Sequence, residues 1–208
     1  MRTLVEEAVA QTLHRAGGET VRLYVAACAE RMVPLVLGLR ADGAGRDTDR
    51  DFYVECVRDL WCADRPLADA CERVRVLEQF PELQPRDEGI SGAADTYAFF
   101  SALVLRHALV ANHSGNVRAA MSCGHAALTA MGMLDQNTGG AVFGDEEKRL
   151  QLLSVSGEVA GLWERSVAAG RERLRAVLSR TALDSGRRHG LSNPGGTPHS
   201  GTRGDRRH

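Results

Sequence analysis

Residues 93–111 read AADTYAFFSALVLRHALVA, and this stretch decides the fold. Tyr97, Phe100 and Val104 recur on one helical face while Phe99, Leu103 and Val110 occupy another. A helix that is apolar nearly all round belongs at the centre of a protein or in a membrane. The uncharged run from Thr96 to Leu105 stops at Arg106, short of the roughly 20 residues a bilayer requires, so the core is the reading and no membrane partner is expected. Working outward, the turn Asn112-His113-Ser114-Gly115 leads into a helix with Val117, Met121, Gly124, Leu128 and Met131 at alternating steps of four and three, a core-facing stripe.

Upstream, Thr3 and Glu6 form a capping box for a helix carrying Leu4, Val5, Ala8, Val9 and Leu13. Glu19 to Leu39 reads as a buried second helix that Pro34 kinks or restarts. After the Gly-rich loop Ala41 to Arg46, Asp47 or Thr48 caps a third helix, and Asp64 and Pro66 open a fourth that ends at Pro81. Ser91 is the expected cap of the central helix. Downstream, Asp135 to Gly144 breaks the pattern, and Asp145 caps a long amphipathic stretch to about Arg180, unless Gly157 or Gly161 bends it. Its expected face is Leu150, Leu153, Ala160, Trp163, Val167, Leu174 and Leu178. No strand alternation and no fixed repeat occurs. The fold class is all-α: a single bundle of about seven helices over residues 1–184, then a disordered basic Gly/Ser/Pro/Arg tail over 185–208 that contributes nothing to folding.

Composition agrees with one globular domain: 208 residues, 43% hydrophobic and 25% charged. The net charge of -1 conceals an acidic body and a basic tail with Arg187, Arg188, Arg203, Arg206 and Arg207. That tail has no aromatic residue for base stacking, which speaks against a nucleic-acid partner. Arg203-Gly204-Asp205 matches an adhesion tripeptide by chance. Glu6 and Glu7 interrupt any secretory signal, so the expected location is cytoplasmic. Cys28, Cys56, Cys62, Cys71 and Cys123 fit neither a disulfide framework nor a zinc spacing and read as small core residues. Glu-x-x-His, His-Glu-x-x-His, glycine-fingerprint and phosphate-loop patterns do not occur, and no cofactor or metal is expected.

Two groups of residues carry what chemistry there is. Arg106 and His107 interrupt the apolar central helix, and a buried guanidinium requires a carboxylate. Glu30 is the preferred partner and Asp95 the other, so Glu30, Asp95, Arg106 and His107 form the candidate buried polar cluster, structural or lining a pocket. Arg118, Ser122, His125 and Thr129 share one helical face. With no acid nearby to orient His125, this face reads as a solvated polar side rather than a nucleophilic site.

Three stretches, YVAACAERMVPLVL at Tyr24–Leu37, LEQFPELQPRDEGISGAADTYAFF at Leu77–Phe100 and HAALTAMGMLDQ at His125–Gln136, together resemble the YjaG-like family of small bacterial helical proteins, domain-of-unknown-function family 416. The resemblance spans about residues 20–180 and rests on packing and helix-boundary residues. It implies an all-helical fold and no catalytic signature. The cysteine that stands before the family's Glu-Arg-Met element is Ala29 here, so no thiol role carries over. The functional expectation is a non-catalytic cytoplasmic interaction module that engages a protein partner or forms a homo-oligomer. The alternative is a small metal-independent enzyme or ligand-binding protein with a polar pocket near Glu30, Arg106 and His107.

Overall fold

In the computed structural model, which describes residues 5–39, 46–85 and 92–190 and side chains through residue 180, the central helix is α6(Ala93–Ser114). It packs against α2(Gly18–Glu30), α3(Val33–Leu39), α4(Asp47–Leu60), α5(Ala70–Leu77) and α7(Val117–Thr138), as its all-round apolar sequence requires. α1(Glu7–Arg15), α8(Val142–Val155) and α9(Leu162–Gly190) complete nine helices among the described residues, with no strand. Two breaks account for the excess over about seven. Pro34 cannot donate a backbone N–H, and the chain restarts there as α3. The stretch from Asp145 to Arg180 is not one helix, because Gly157 and Gly161 adopt φ of 83° and 71°, a left-handed conformation that Gly reaches without steric cost.

The α6–α7 hairpin is the most extensive helix contact, and small residues explain it. Ala119, Ala120, Cys123, Gly124, Ala126, Ala127 and Ala130 are buried along α7, so the backbones approach closely. A Cβ on Gly124 would collide with the Tyr24 hydroxyl of α2. α2 is buried over Tyr24–Ala29 for the same reason, with Ala26, Ala27, Cys28 and Ala29 all inaccessible.

Other boundaries moved. α7 runs on to Thr138, and Asp145 is not the cap of α8. The buried Asp135 carboxylate instead accepts from the N–H groups of Phe143 and Gly144 at 2.9 and 2.8 Å, so the end of one helix caps the start of the next. The buried stripe of α9 is Leu162, Ser166, Ala169, Gly170, Arg173 and Val177, about one residue out of phase with the expected face, leaving Trp163 and Leu178 50% and 46% exposed. The reason is fit: a Cβ on Gly170 would stand 2.8 Å from the Arg31 carbonyl and 2.9 Å from the Pro34 ring, so only the small-residue stripe can meet α3. Of the cysteines, Cys28, Cys56 and Cys123 are core residues, whereas Cys62 and Cys71 are exposed. The backbone of α9 continues to Gly190, past the boundary expected at residue 184. The capping box at Thr3, the loop at 41–45, the Ser91 cap and residues 191–208 of the expected tail lie outside the described residues. Among those described, no helix is long and apolar enough to cross a membrane.

Candidate functional site

α2 ends on two charged neighbours, Glu30 and Arg31, about 100° apart around the helix, and they enter different surroundings. Arg31 turns into the core. Its guanidinium makes a bidentate pair with Glu147 of α8, Nε to Oε2 and Nη2 to Oε1 both at 2.8 Å. Arg173 of α9 donates to the same carboxylate at 2.6 Å, and all three side chains are inaccessible. Gln151 donates to Glu147 at 2.8 Å and to the Gly124 carbonyl at 3.0 Å, and its oxygen accepts from the Tyr24 hydroxyl at 3.0 Å. Burial alone would raise the Glu147 carboxyl, but Arg31 and Arg173 outweigh it and hold its pKa at about 2. Burial pushes the Tyr24 hydroxyl and the Cys123 thiol up, so both stay neutral. Two cations meet one anion here, and Arg31 Nη1 and Arg173 Nε and Nη1 have no hydrogen-bond acceptor among the described residues. The network ties α2, α8 and α9 together. With Arg31, Glu147 and Arg173 all inaccessible to solvent, it acts as a structural clamp.

Sequence reasoning missed this clamp, because Glu147 and Arg173 are ordinary polar residues on amphipathic helices until their phase is known. A usable signal existed in the small-residue spacing Ser166, Ala169, Gly170, which marks the buried side of α9 and places Arg173 on it.

Glu30 faces outward into a cleft of about 480 Å³ lined by Val33, Val54, Val57, Arg58, Trp61 and Trp163. The Trp61 indole N–H donates to Glu30 Oε2 at 2.9 Å. Burial raises the Glu30 carboxyl above its ordinary value, opposed by hydrogen bonds from Trp61 and Trp163. The chain has only two tryptophans, and both stand at this carboxylate.

The expected Glu30–Arg106 bridge does not form. Arg106 pairs with Glu78, Nη2 to Oε1 at 2.7 Å, and the two side chains are 36% and 42% exposed, so this is a surface pair and not a buried one. α6 turns Arg106 toward the segment that follows α5, away from the end of α2. Asp95 stays in the first turn of α6, half-buried, near Gly92. His107 enters a different cleft. The four residues therefore do not converge, and the pocket expected near Glu30, Arg106 and His107 has no common floor.

The His107 cleft, about 500 Å³, lies between α6 and α7 and joins two features that the sequence suggested separately. Its α7 wall is Arg118, Met121, Ser122, His125, Ala126 and Thr129, and its α6 wall is Phe100, Leu103 and His107. Ser122, His125 and Thr129 are half-buried rather than fully solvated, while Arg118 is exposed. The Thr129 hydroxyl donates to the His125 carbonyl at 2.9 Å. Burial, with Arg106 adjacent, lowers the His107 imidazole below its ordinary pKa, so it is neutral at pH 7. Among the described residues the lining contributes no carboxylate. Among the described residues no three His, Cys, Asp or Glu side chains gather as a metal site.

No protein-family model, no curated protein and no solved structure matches this chain.

Proposed function

We propose that the protein is a non-catalytic helical interaction module, akin to the YjaG-like family and working in the cytoplasm, that holds an apolar anchor side chain of a protein partner in the Trp61–Trp163 cleft. The observation that carries this reading is the exposure of Trp163 at 50% and Val54 at 40% on the rim of a cleft whose remaining apolar wall is Val33, Val57 and Trp61, beside Glu30 and Arg58. Tryptophans beside a concave apolar surface are characteristic anchors of protein interfaces. The indole N–H donated to Glu30 satisfies the carboxylate that lines the cleft among the described residues, so an apolar side chain can enter without leaving that group unpaired. The strongest polar network lies closed in the core, which removes the best-organised ionisable groups from solvent.

Affinity purification of the full chain from its native host tests the reading. A stoichiometric protein partner is expected with the wild type and should be lost with Trp163→Ala, whose melting temperature should stay within about 2 °C because the ring is half exposed. Recovery of the bare protein, or a partner retained equally by Trp163→Ala, overturns it.

A further inference from the structure

The polar lining of the α6–α7 cleft is one-sided. Among the described residues it offers a guanidinium, two imidazoles and two hydroxyls, and no carboxylate. Arg118, Ser122, His125 and Thr129 follow one another at steps of four, three and four along α7, so a single face carries them. His107 comes from α6. In an antiparallel hairpin with its turn at Gly115–Asn116, residues equidistant from the turn face one another, which sets His107 across from Ser122–His125 and leaves Phe100 and Leu103 nearer the apolar end.

Arg118 supplies an independent observation. It sits in the first turn of α7, which contains no acidic residue, although the N-terminus of a helix carries a partial positive charge and disfavours a cation. Among the described residues Arg118 has no carboxylate partner, whereas Arg46, Arg50, Arg58, Arg73, Arg75 and Arg106 are each paired. An uncompensated cation at a helix N-terminus is a position that an anion improves twice, through the charge and through the dipole. The volume falls within the usual range for small-molecule sites, roughly 300–1,000 Å³, and exceeds what a bare inorganic anion needs. The rest of the wall, Phe100, Leu103, Met121 and Ala126, is apolar.

We propose that this cleft binds a small organic anion, its oxyanion head held by Arg118, Ser122 and His125 and its apolar body laid against Phe100, Leu103 and Met121. A carboxylate and a phosphate monoester share the recognition chemistry: a negative head that accepts from guanidinium, hydroxyl and imidazole donors. A cation finds no acceptor charge among the described lining residues. A nucleic acid would need several phosphate contacts, and the described lining has one permanent cation, Arg118.

The test is an amide-resolved NMR titration of the full chain with benzoate and with phenyl phosphate, set against inorganic phosphate and benzylamine. Saturable shifts at Arg118, Ser122 and His125 are expected with at least one of the two aryl anions, and none with benzylamine. Which aryl anion binds more tightly identifies the head group. Arg118→Gln, at an exposed position that leaves the fold intact, should weaken that binding about tenfold through loss of a charge-assisted contact. Inorganic phosphate should bind more weakly still, since it leaves the apolar wall uncovered. No saturable shift with either aryl anion, an equal response to benzylamine, or undiminished binding by Arg118→Gln overturns the assignment. Inorganic phosphate binding as tightly as phenyl phosphate overturns the role given to Phe100, Leu103 and Met121.

Discussion

Glu30 and Arg31 are chain neighbours, yet one closes a core and the other lines an opening. Arg31 and Arg173 both reach Glu147 in a region with no solvent access, where one carboxylate holds both cations. Glu30 lies half-buried under two indoles, and among the described lining residues the cation is Arg58 at the rim. The carboxyls consequently move in opposite directions, Glu147 below its ordinary value and Glu30 above it. Burial pushes both up, and only the guanidinium pair reverses it. The difference teaches that desolvation and charge pairing are separable within one turn of helix, and that the clamp stabilises while the cleft remains available for contact.

The largest effect should come from breaking the clamp. Glu147→Gln leaves two inaccessible guanidinium groups facing each other without their counter-charge, at a cost of about 3–5 kcal/mol in denaturant unfolding. Replacing Arg31, Glu147 and Arg173 together by apolar residues of similar volume should recover most of that loss, because the desolvation of all three charges disappears with them. A triple variant as unstable as Glu147→Gln would show instead that the hydrogen bonds to Gln151 and Cys28 carry the stability.

How much of this could be read beforehand follows from what periodicity measures. The central place of α6, the turn into α7 with its core-facing stripe, and the break at Pro34 were all legible, since they depend on apolar content and on turn and proline chemistry local to each segment. The phase of α9 was not. Large apolar residues such as Trp163 and Leu178 pulled the expected face toward themselves, while the actual contact with α3 needed the absence of side-chain bulk at Gly170 and Ala169. Once that phase is wrong, Arg173 looks solvated and the clamp is invisible. The pairing of Arg106 fails for a related reason: its own helix showed that a carboxylate was needed but could not say from which side one would come. His107 and the Arg118–Thr129 face were each noticed, and only the hairpin register shows that they share a cleft.

The contrast between the two carboxyls can be sharpened by pH. Glu147 has a folded pKa of about 2 against an ordinary 4.5, so its contribution is complete above pH 4.5 and is lost as pH falls toward 2. Glu30 has a folded pKa above 4.5, so the folded state takes up its proton first, and this group adds stability as pH falls toward 4.5 from above. The windows lie on opposite sides of pH 4.5. In wild type, unfolding free energy measured against pH should carry a rising contribution from Glu30 on acidification above 4.5 and a steep fall below it. Glu30→Gln should remove the first and keep the second, with a smaller change at pH 7 than Glu147→Gln produces. A Glu30→Gln profile that superimposes on wild type above pH 4.5 would mean that this carboxyl is as solvated as a surface one.

The smallest effect belongs to Arg106. Its pair with Glu78 is over a third exposed on both sides, and exposed ion pairs contribute about 0.2–1 kcal/mol because solvent and salt already screen the charges. Arg106→Leu should therefore lower stability by no more than about 1 kcal/mol, and less at high ionic strength, where the wild-type pair is weakened as well. The same substitution removes the cation beside His107, so the imidazole pKa followed by NMR should rise while remaining below its ordinary value, because burial is the larger of the two causes. A loss of several kcal/mol would place Arg106 in the same category as Arg31, a buried cation with an obligatory partner. It would also erase the distinction between a guanidinium that builds the core and one that only borders a cleft.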